Sequence, residues 1–308
     1  MPGILIITET KENSLKKVSL EVASEATRLA KTINTNVYAI ATQSTYKELG
    51  KYGISKAFTI ETMPYLQEYT SIIQNVMEKI NPSHILFPAT IQGKALSSMV
   101  AAKYNTQAYT DCIKIEIQDN ITTIQRPIYA GNVILTAETT APKVFASLRP
   151  NVFSIKENTT EIECEPIALP EIQNKAKVLQ FKASESKTIE ITEASTIVAA
   201  GRGVSQETFP LLEEVAQKLG AAIGVSRPLV DAGQRPHEEQ VGQTGKTVSP
   251  QLYIACGISG AIQHIAGMRT AKTIVAINRS PQAPIFQIAD YGIIGDSQEI
   301  LTALKENL

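Results

Sequence analysis

Tryptophan is absent and aromatic residues make up only 6% of the chain, so an aromatic cage or a base-stacking platform is not expected. Cysteine is scarce: Cys112, Cys164 and Cys256 are too scattered for a disulfide framework, and no CxxC offers a redox pair or a zinc corner. Charge of one sign is lacking too. With 29 Lys+Arg against 30 Asp+Glu, nothing suggests a nucleic-acid partner, a basic membrane patch or an acidic tail. No run approaches the roughly 18–20 apolar residues that would span a bilayer, so no transmembrane segment is expected. Met1 to Glu9 has no basic start and no long apolar stretch, which is unlike a secretory signal. A reducing compartment, most simply the cytoplasm, is the expectation. Glycine is scarce in one part only. Of 17 glycines, the first 187 residues hold Gly3, Gly50, Gly53, Gly93 and Gly131, and the other twelve follow. That skew places close backbone approach, and a ligand site, late in the chain.

What is present suits a large globular protein: 308 residues, 43% hydrophobic, enough for two domains. Ile4–Ile7, Val37–Ala41 and Ile85–Phe87 read as buried strands. Between and after them, helices are expected from Asn13 as a cap, over Tyr65–Ile80 and over Leu96–Tyr104. The alternation predicts α/β architecture with a parallel sheet covered on both faces. From Cys112 to Leu148 the period falls to two, which reads as antiparallel strands broken at Gly131-Asn132. Residues 155–187, with Pro166, Pro170 and little periodicity, read as a linker carrying one strand near Val178–Phe181. A second alternating block follows. Its expected strands are Ile197–Ala200, Ala221–Val225, Leu252–Ala255 and Thr273–Ile277. A helix capped by Ser205 and ended by Gly220 lies among them, and Ser297–Leu308 closes the chain. The predicted domains are 1–187 and 188–308.

Three glycine segments mark the second block: Gly201-Arg202-Gly203, Val241 to Thr247, and Gly257 to His264. The first and last directly follow predicted strands. In a parallel α/β sheet that is where ligands sit, and glycine lets backbone N–H groups reach a phosphate. Ser259-Gly260-Ala261 can seat a pyrophosphate, with Arg202 adding charge-assisted hydrogen bonds. Better-known motifs do not match. The G-x-G-x-x-G fingerprint fails at Gln206. Walker A fails because only two residues separate Gly242 from Gly245. A nucleophile elbow fails because Ala261 stands where glycine is needed. No catalytic triad and no metal site emerge. From the residues alone, His264 is either an inert helical side chain or a partner for an anion. Arg227 is either a solvated surface group or a plane over an aromatic ring. Asp296 is either a helix cap or a ribose acceptor.

The ordered set of segments resembles one family closely. Leu252 to Met268 reads Leu-Tyr-Ile-Ala-Cys-Gly-Ile-Ser-Gly-Ala-Ile-Gln-His-Ile-Ala-Gly-Met. Lys272 to Asn278 reads Lys-Thr-Ile-Val-Ala-Ile-Asn, and Ala283 to Asp296 reads Ala-Pro-Ile-Phe-Gln-Ile-Ala-Asp-Tyr-Gly-Ile-Ile-Gly-Asp. With Gly201-Arg202-Gly203, Ser226-Arg227 and Val241 to Lys246 upstream, this resembles the FAD-binding domain of the electron-transfer flavoprotein alpha subunit. Thr90 to Lys94, Thr110-Asp111, Arg126 to Gly131 and Arg149-Pro150 extend the resemblance over the N-terminal part.

The resemblance implies a nucleotide-hydrolase-like N-terminal domain that packs on a beta subunit and a Rossmann-like C-terminal domain that holds FAD. It implies a heterodimer with the electron-transfer flavoprotein beta subunit, which carries AMP or a second FAD. It implies an electron carrier without substrate turnover of its own. Donors would be acyl-CoA or other dehydrogenases, as in fatty acid β-oxidation, and the acceptor a quinone oxidoreductase; some relatives instead split electron pairs. The compartment would be the cytoplasm, or the mitochondrial matrix for a processed eukaryotic form. Carried over by position, the FAD contacts are Arg202, Ser226, Arg227, Val241, Gly242, Gln243, Thr244, Ser259, Gly260, Ala261, Ile262, Gln263, His264, Asn278, Asp296 and Ser297. Thr244 matches the hydroxyl beside flavin N5, His264 the group beside O2, and Arg227 the arginine near the ring. Ser297 stands where leucine is usual, and Cys256 where an aliphatic residue is.

Overall fold

The structure is a computed structural model and describes residues 2–62, 66–129, 131–168 and 189–308. The chain divides into two compact units, residues 1–128 with 132–182 and residues 129–131 with 183–308.

The first unit is built on a seven-stranded parallel sheet. Its order is Glu163–Pro166, Lys56–Ile60, Val37–Thr42, Ile4–Ile7, His84–Pro88, Val144–Leu148 and Ala108–Cys112. Alternation along Ile4–Ile7 explains the two cores. Ile4 and Ile6 pack with Val22, Ala26 and Leu29 of the helix Lys17–Ile33, while Leu5 and Ile7 pack with Ile72, Ile73 and Val76 of the helix Leu66–Ile80. Three readings from the sequence need correction here. Asn13 is no helix cap. With φ of 63°, beside Glu12 at 50°, it turns a two-residue hairpin between Thr10–Lys11 and Ser14–Leu15, and Lys16 precedes the helix. Val144–Leu148 does not join the antiparallel strands. It lies between two parallel neighbours and is buried on both faces, so Val-Phe-Ala-Ser-Leu shows no alternation. The antiparallel set is Lys114–Gln118, Ile121–Ile128 and Val133–Thr139. Finally, the expected linker contains an edge strand, Glu163–Pro166, paired with Lys56–Thr59. The strand expected near Val178–Phe181 and the boundary at 187/188 lie outside the described residues.

The second unit has a five-stranded parallel sheet in the order Ala222–Val225, Thr196–Ala200, Leu252–Cys256, Thr273–Asn278, Tyr291–Ile294. Val198, Ala200, Ile254 and Cys256 face the helix Phe209–Lys218 and Leu301 of the helix Ser297–Asn307. Ile197, Ala199, Tyr253 and Ala255 face Ile258, Met268 and Ile285. Thr196–Ala200 comes first in the chain, its successor pairs on one side and the next strand on the other. The switch point of the sheet therefore falls between Ala200 and Cys256, where the following loops part.

Candidate functional site

The two loops that part there are Gly201–Gly203 and Gly257–Ala261. They run so close that a Cβ on Gly257 would come within 2.6 Å of Gly203 backbone, and one on Gly201 within 2.3 Å of the Gly257 carbonyl. Gly257 also has φ of +61°, so any side chain there is excluded twice. Gly203 N–H donates to Gly257 O at 3.0 Å, and Asn278 Nδ2 donates to Ile258 O at 2.8 Å, pinning the second loop. That loop leads into the short helix Ile262–Met268. Across these residues, the backbone N–H groups of Ser259, Gly260, Ala261, Ile262 and Gln263 donate to nothing among the described residues. Consecutive unpaired N–H groups at a strand end are a cradle for an anion.

A third segment closes the site. Val241 N–H donates to Val225 O at 2.9 Å, and Val241 bridges to Lys246, so Gln240 to Lys246 form a tight loop on the edge strand. Gln243 N–H donates to Gln263 O at 2.8 Å and ties this loop to the helix. Gly267 is bare because its Cβ would strike Gly242 N at 2.3 Å.

Together the three segments and Ser226–Pro228 enclose a cleft of about 410 Å³. Its size lies within the range of about 300–1,000 Å³ for small-molecule sites. All the residues named from the sequence line it except Gly260, Ile262, Asp296 and Ser297. Gly260 serves the turn instead: φ is +85° and its Cβ would lie 2.2 Å from Ile285 N. Ile262 is exposed. Asp296 caps the last helix, accepting from Gln298 N–H at 2.7 Å and Glu299 N–H at 3.4 Å, and it pairs with Arg279. Ser297 is buried as the first residue of that helix. Of the two sequence readings of Asp296, the geometry supplies the cap.

The polar groups of the cleft differ in how they are held. Arg202 is exposed at the rim and has no ion pair among the described residues. Arg227 turns along its own helix, Nε 3.2 Å from Asp231 Oδ2, an exposed pair worth about 0–1 kcal/mol and easily exchanged for a ligand. Thr244 Oγ1 accepts from Gln240 Nε2 at 3.0 Å. With its oxygen so engaged, the hydroxyl proton is the part of Thr244 left to offer. Gln240 was not among the residues named from the sequence; the signal was its place immediately before the Val241 loop.

His264 departs from expectation. It lines the cleft yet is 6% exposed, and Nε2 lies 2.9 Å from the Tyr253 hydroxyl. Nδ1 is buried without a hydrogen bond. Burial holds the ring down to about 4, outweighing the Val241 backbone, which acts the other way, so the ring is neutral at neutral pH. Cys256, behind the sheet, is a small buried hydrophobe whose thiol burial pushes up to about 12.

Residues 4–194 match the electron transfer flavoprotein domain, and residues 190–269 match the electron transfer flavoprotein FAD-binding domain. The chain is 38% identical to the electron transfer flavoprotein subunit alpha of Bacillus subtilis, over 98% of this chain and 96% of that one. The chain belongs to the alpha-subunit family of electron transfer flavoproteins. A counterpart from Pseudomonas aeruginosa is 36% identical over 99% of both chains. A third relative, the LctC subunit of a lactate dehydrogenase (NAD(+),ferredoxin) from Acetobacterium woodii, is 37% identical over 98% of this chain and 76% of its own. Members of this family are electron carriers rather than enzymes that turn over a substrate, and the FAD-binding domain lies in the unit that contains the cleft. The glycine-walled cradle of unpaired N–H groups fits the diphosphate of such a cofactor. Among the described residues no helix is long and apolar enough to cross a membrane, and no group of His, Cys, Asp and Glu gathers to hold a metal.

Proposed function

We propose that the cleft between residues 201–203, 240–246 and 257–264 holds a single FAD. The chain then pairs with an electron-transfer flavoprotein beta subunit to form the carrier. The observation that carries the reading is the run of N–H groups from Ser259 to Gln263 left unpaired among the described residues, beside a cation, Arg202, that no acid among those residues neutralises. FAD when bound supplies the redox chemistry, taking up and releasing electrons. This chain's residues do the rest. The loop N–H groups and Arg202 hold the diphosphate. Ser226 and Gln243 stand on the wall as hydrogen-bonding groups, and Arg227 is free to leave Asp231. Gln240 orients Thr244 so that its proton is offered to the isoalloxazine ring, and His264 forms the neighbouring wall. Asp296 and Ser297 are proposed as contacts at the far end of the cofactor, in addition to capping.

The domains are proposed to divide at 187/188, and the compartment to be the cytoplasm. Donors are dehydrogenases, acyl-CoA dehydrogenases among them, and the acceptor is a quinone oxidoreductase; AMP or a second FAD is assigned to the partner. A second reading, electron bifurcation, is favoured by the likeness to the LctC subunit, whose name couples NAD(+) with ferredoxin. A nucleotide-binding regulatory role for the N-terminal unit fares worse. At the switch point of its sheet, the Glu9 carboxylate is buried, taking hydrogen bonds from Thr90 and from Lys16 at 3.0 Å. A fixed carboxylate is a poor host for a phosphate.

The test is co-expression with a beta partner. The purified complex is expected to be yellow, to carry one FAD in this chain and to be reduced by a dehydrogenase. A colourless complex that takes up no added FAD refutes the reading. NADH oxidation with a second flavin in the partner would favour bifurcation.

A further inference from the structure

The hydroxyl of Tyr253 has no task in that scheme. Tyr253 lies in the middle of the sheet, fully buried, and phenylalanine would fill the same space. Its only hydrogen-bond partner among the described residues is Nε2 of His264, at 2.9 Å, the two rings lying 6.2 Å apart at 59°.

Two proton arrangements are open to this pair, and they differ in what they leave unpaired. If the phenol donates to Nε2, the ring proton sits on Nδ1, and that N–H is the one group of the pair left without a hydrogen bond. The Val241 backbone favours protons on the ring. If Nε2–H donates to the phenol oxygen instead, two groups are stranded: the phenolic proton, with no acceptor, and the Nδ1 lone pair, with no donor. Loss of the phenolic proton does not rescue the second arrangement, because burial pushes that group well above its ordinary value. Buried unpaired groups are costly, so the arrangement that leaves fewer prevails.

We propose that Tyr253 is a positioning residue of the cleft: its hydroxyl donates to Nε2 of His264 and fixes that ring as the neutral tautomer with its proton on Nδ1. The cleft wall is thereby given one ring orientation and one direction of ring dipole. The structural assignment stands on the two side chains alone; its meaning for the cofactor rests on the flavin reading above.

Nitrogen NMR of the full-length chain, labelled in histidine, tests it at neutral pH. The chain has three histidines, and His84→Gln and His237→Gln assign the remaining ring as His264. The expected spectrum shows a single tautomer, protonated at Nδ1 and bare at Nε2. In Tyr253→Phe it gives way to a mixture. A wild-type ring protonated at Nε2, or a Tyr253→Phe ring with an unchanged single tautomer, overturns the proposal. Should Tyr253→Phe fail to fold, the wild type still decides. A slowly exchanging phenolic proton in contact with the His264 ring supports the donor role. Its absence, with the proton on Nε2, overturns it. In the complex with the beta partner, Tyr253→Phe is expected to keep FAD and to shift its midpoint potential; a potential that does not move removes the positioning role. A wild-type complex that binds no FAD refutes the flavin reading and leaves the tautomer standing, so the two failures are distinguishable.

Discussion

Acid should weaken both units of this protein through two buried histidines. His84 begins the strand His84–Pro88, with Nδ1 2.8 Å from Ser83 Oγ and Nε2 2.9 Å from Thr122 Oγ1. Burial lowers it from 6.5 to about 4, as it does His264. Each ring resists its charge when folded and accepts it when unfolded. The unfolded chain therefore binds more protons below pH 6.5, and stability falls as pH drops from there towards 4. Stability is fully present above pH 6.5, and below about 4 no more is lost from these groups. Between pH 7 and pH 5 the linkage amounts to about 2 kcal/mol per ring, at about 1.4 kcal/mol for each pH unit of difference in proton binding. With total stabilities of about 5–15 kcal/mol, that is a large share for either unit. Urea titrations followed by circular dichroism at both pH values read it directly. The midpoint should fall by about 1 M if the urea slope is about 2 kcal/mol per M. His84→Gln and His264→Gln should each flatten the pH dependence of one transition, whereas His237→Gln, on the surface, serves as the control. A midpoint unchanged between pH 7 and pH 5, or a wild-type slope retained in both buried variants, refutes the reasoning.

Other perturbations separate structural from cofactor roles. Gly260→Ala should destabilise the second unit by about 1–2 kcal/mol from the left-handed backbone alone, and by more from the contact with Ile285, read as a lowered melting temperature. Asp296→Ala should cost about 1 kcal/mol of stability while Asp296→Asn costs little, because asparagine also caps; equal thermal shifts in both would refute the cap. Thr244→Val should change the flavin midpoint potential while weakening FAD binding by only the net worth of one hydrogen bond, about 0.5–1.5 kcal/mol, measured by reductive titration and by fluorescence. Arg202→Ala should weaken FAD by about 1.5–3 kcal/mol, and the loss should shrink in high salt; an affinity independent of both changes would remove the rim cation from the site.

Much of the second unit was legible because each of its strands ends in a glycine or a turn, and such punctuation survives in one dimension. Gly201, Gly203 and Gly257 marked loops at strand ends before any pairing was known. The edge strand Tyr291–Ile294 went unseen because its residues are exposed on both faces, so no burial pattern announces it. Val144–Leu148 went astray for the opposite reason, being buried on both. The tautomer question at His264 was invisible as well, since Tyr253 and His264 are partners only once the strand and the helix pack.

The two sheets also show where fold ends and site begins. Both are parallel, both switch direction at their first strand, and both therefore open a crevice beyond that strand's end. After Ala200 the chain supplies glycines and an arginine with no ion pair among the described residues, and the crevice stays open as a cleft. After Ile7 it supplies Thr8 and Glu9; Glu9 takes hydrogen bonds from Thr90 and Lys16, and its own N–H donates to Ser19 Oγ at 2.8 Å. Thr90 comes from the turn after a neighbouring strand, and Lys16 and Ser19 from the turn and helix that follow Ile4–Ile7 itself. Two parallel sheets of different strand order thus share a switch point at the first strand, and they differ there in a few loop residues. Removing Glu9 would not by itself open the first unit's switch point to phosphate, because Gly93 N–H already donates to Thr90 Oγ1 at 2.9 Å and the helix N-terminus there is capped. An open site needs unpaired donors as well as space, and among the described residues the second unit leaves the N–H groups of Ser259 to Gln263 unpaired beside its cleft.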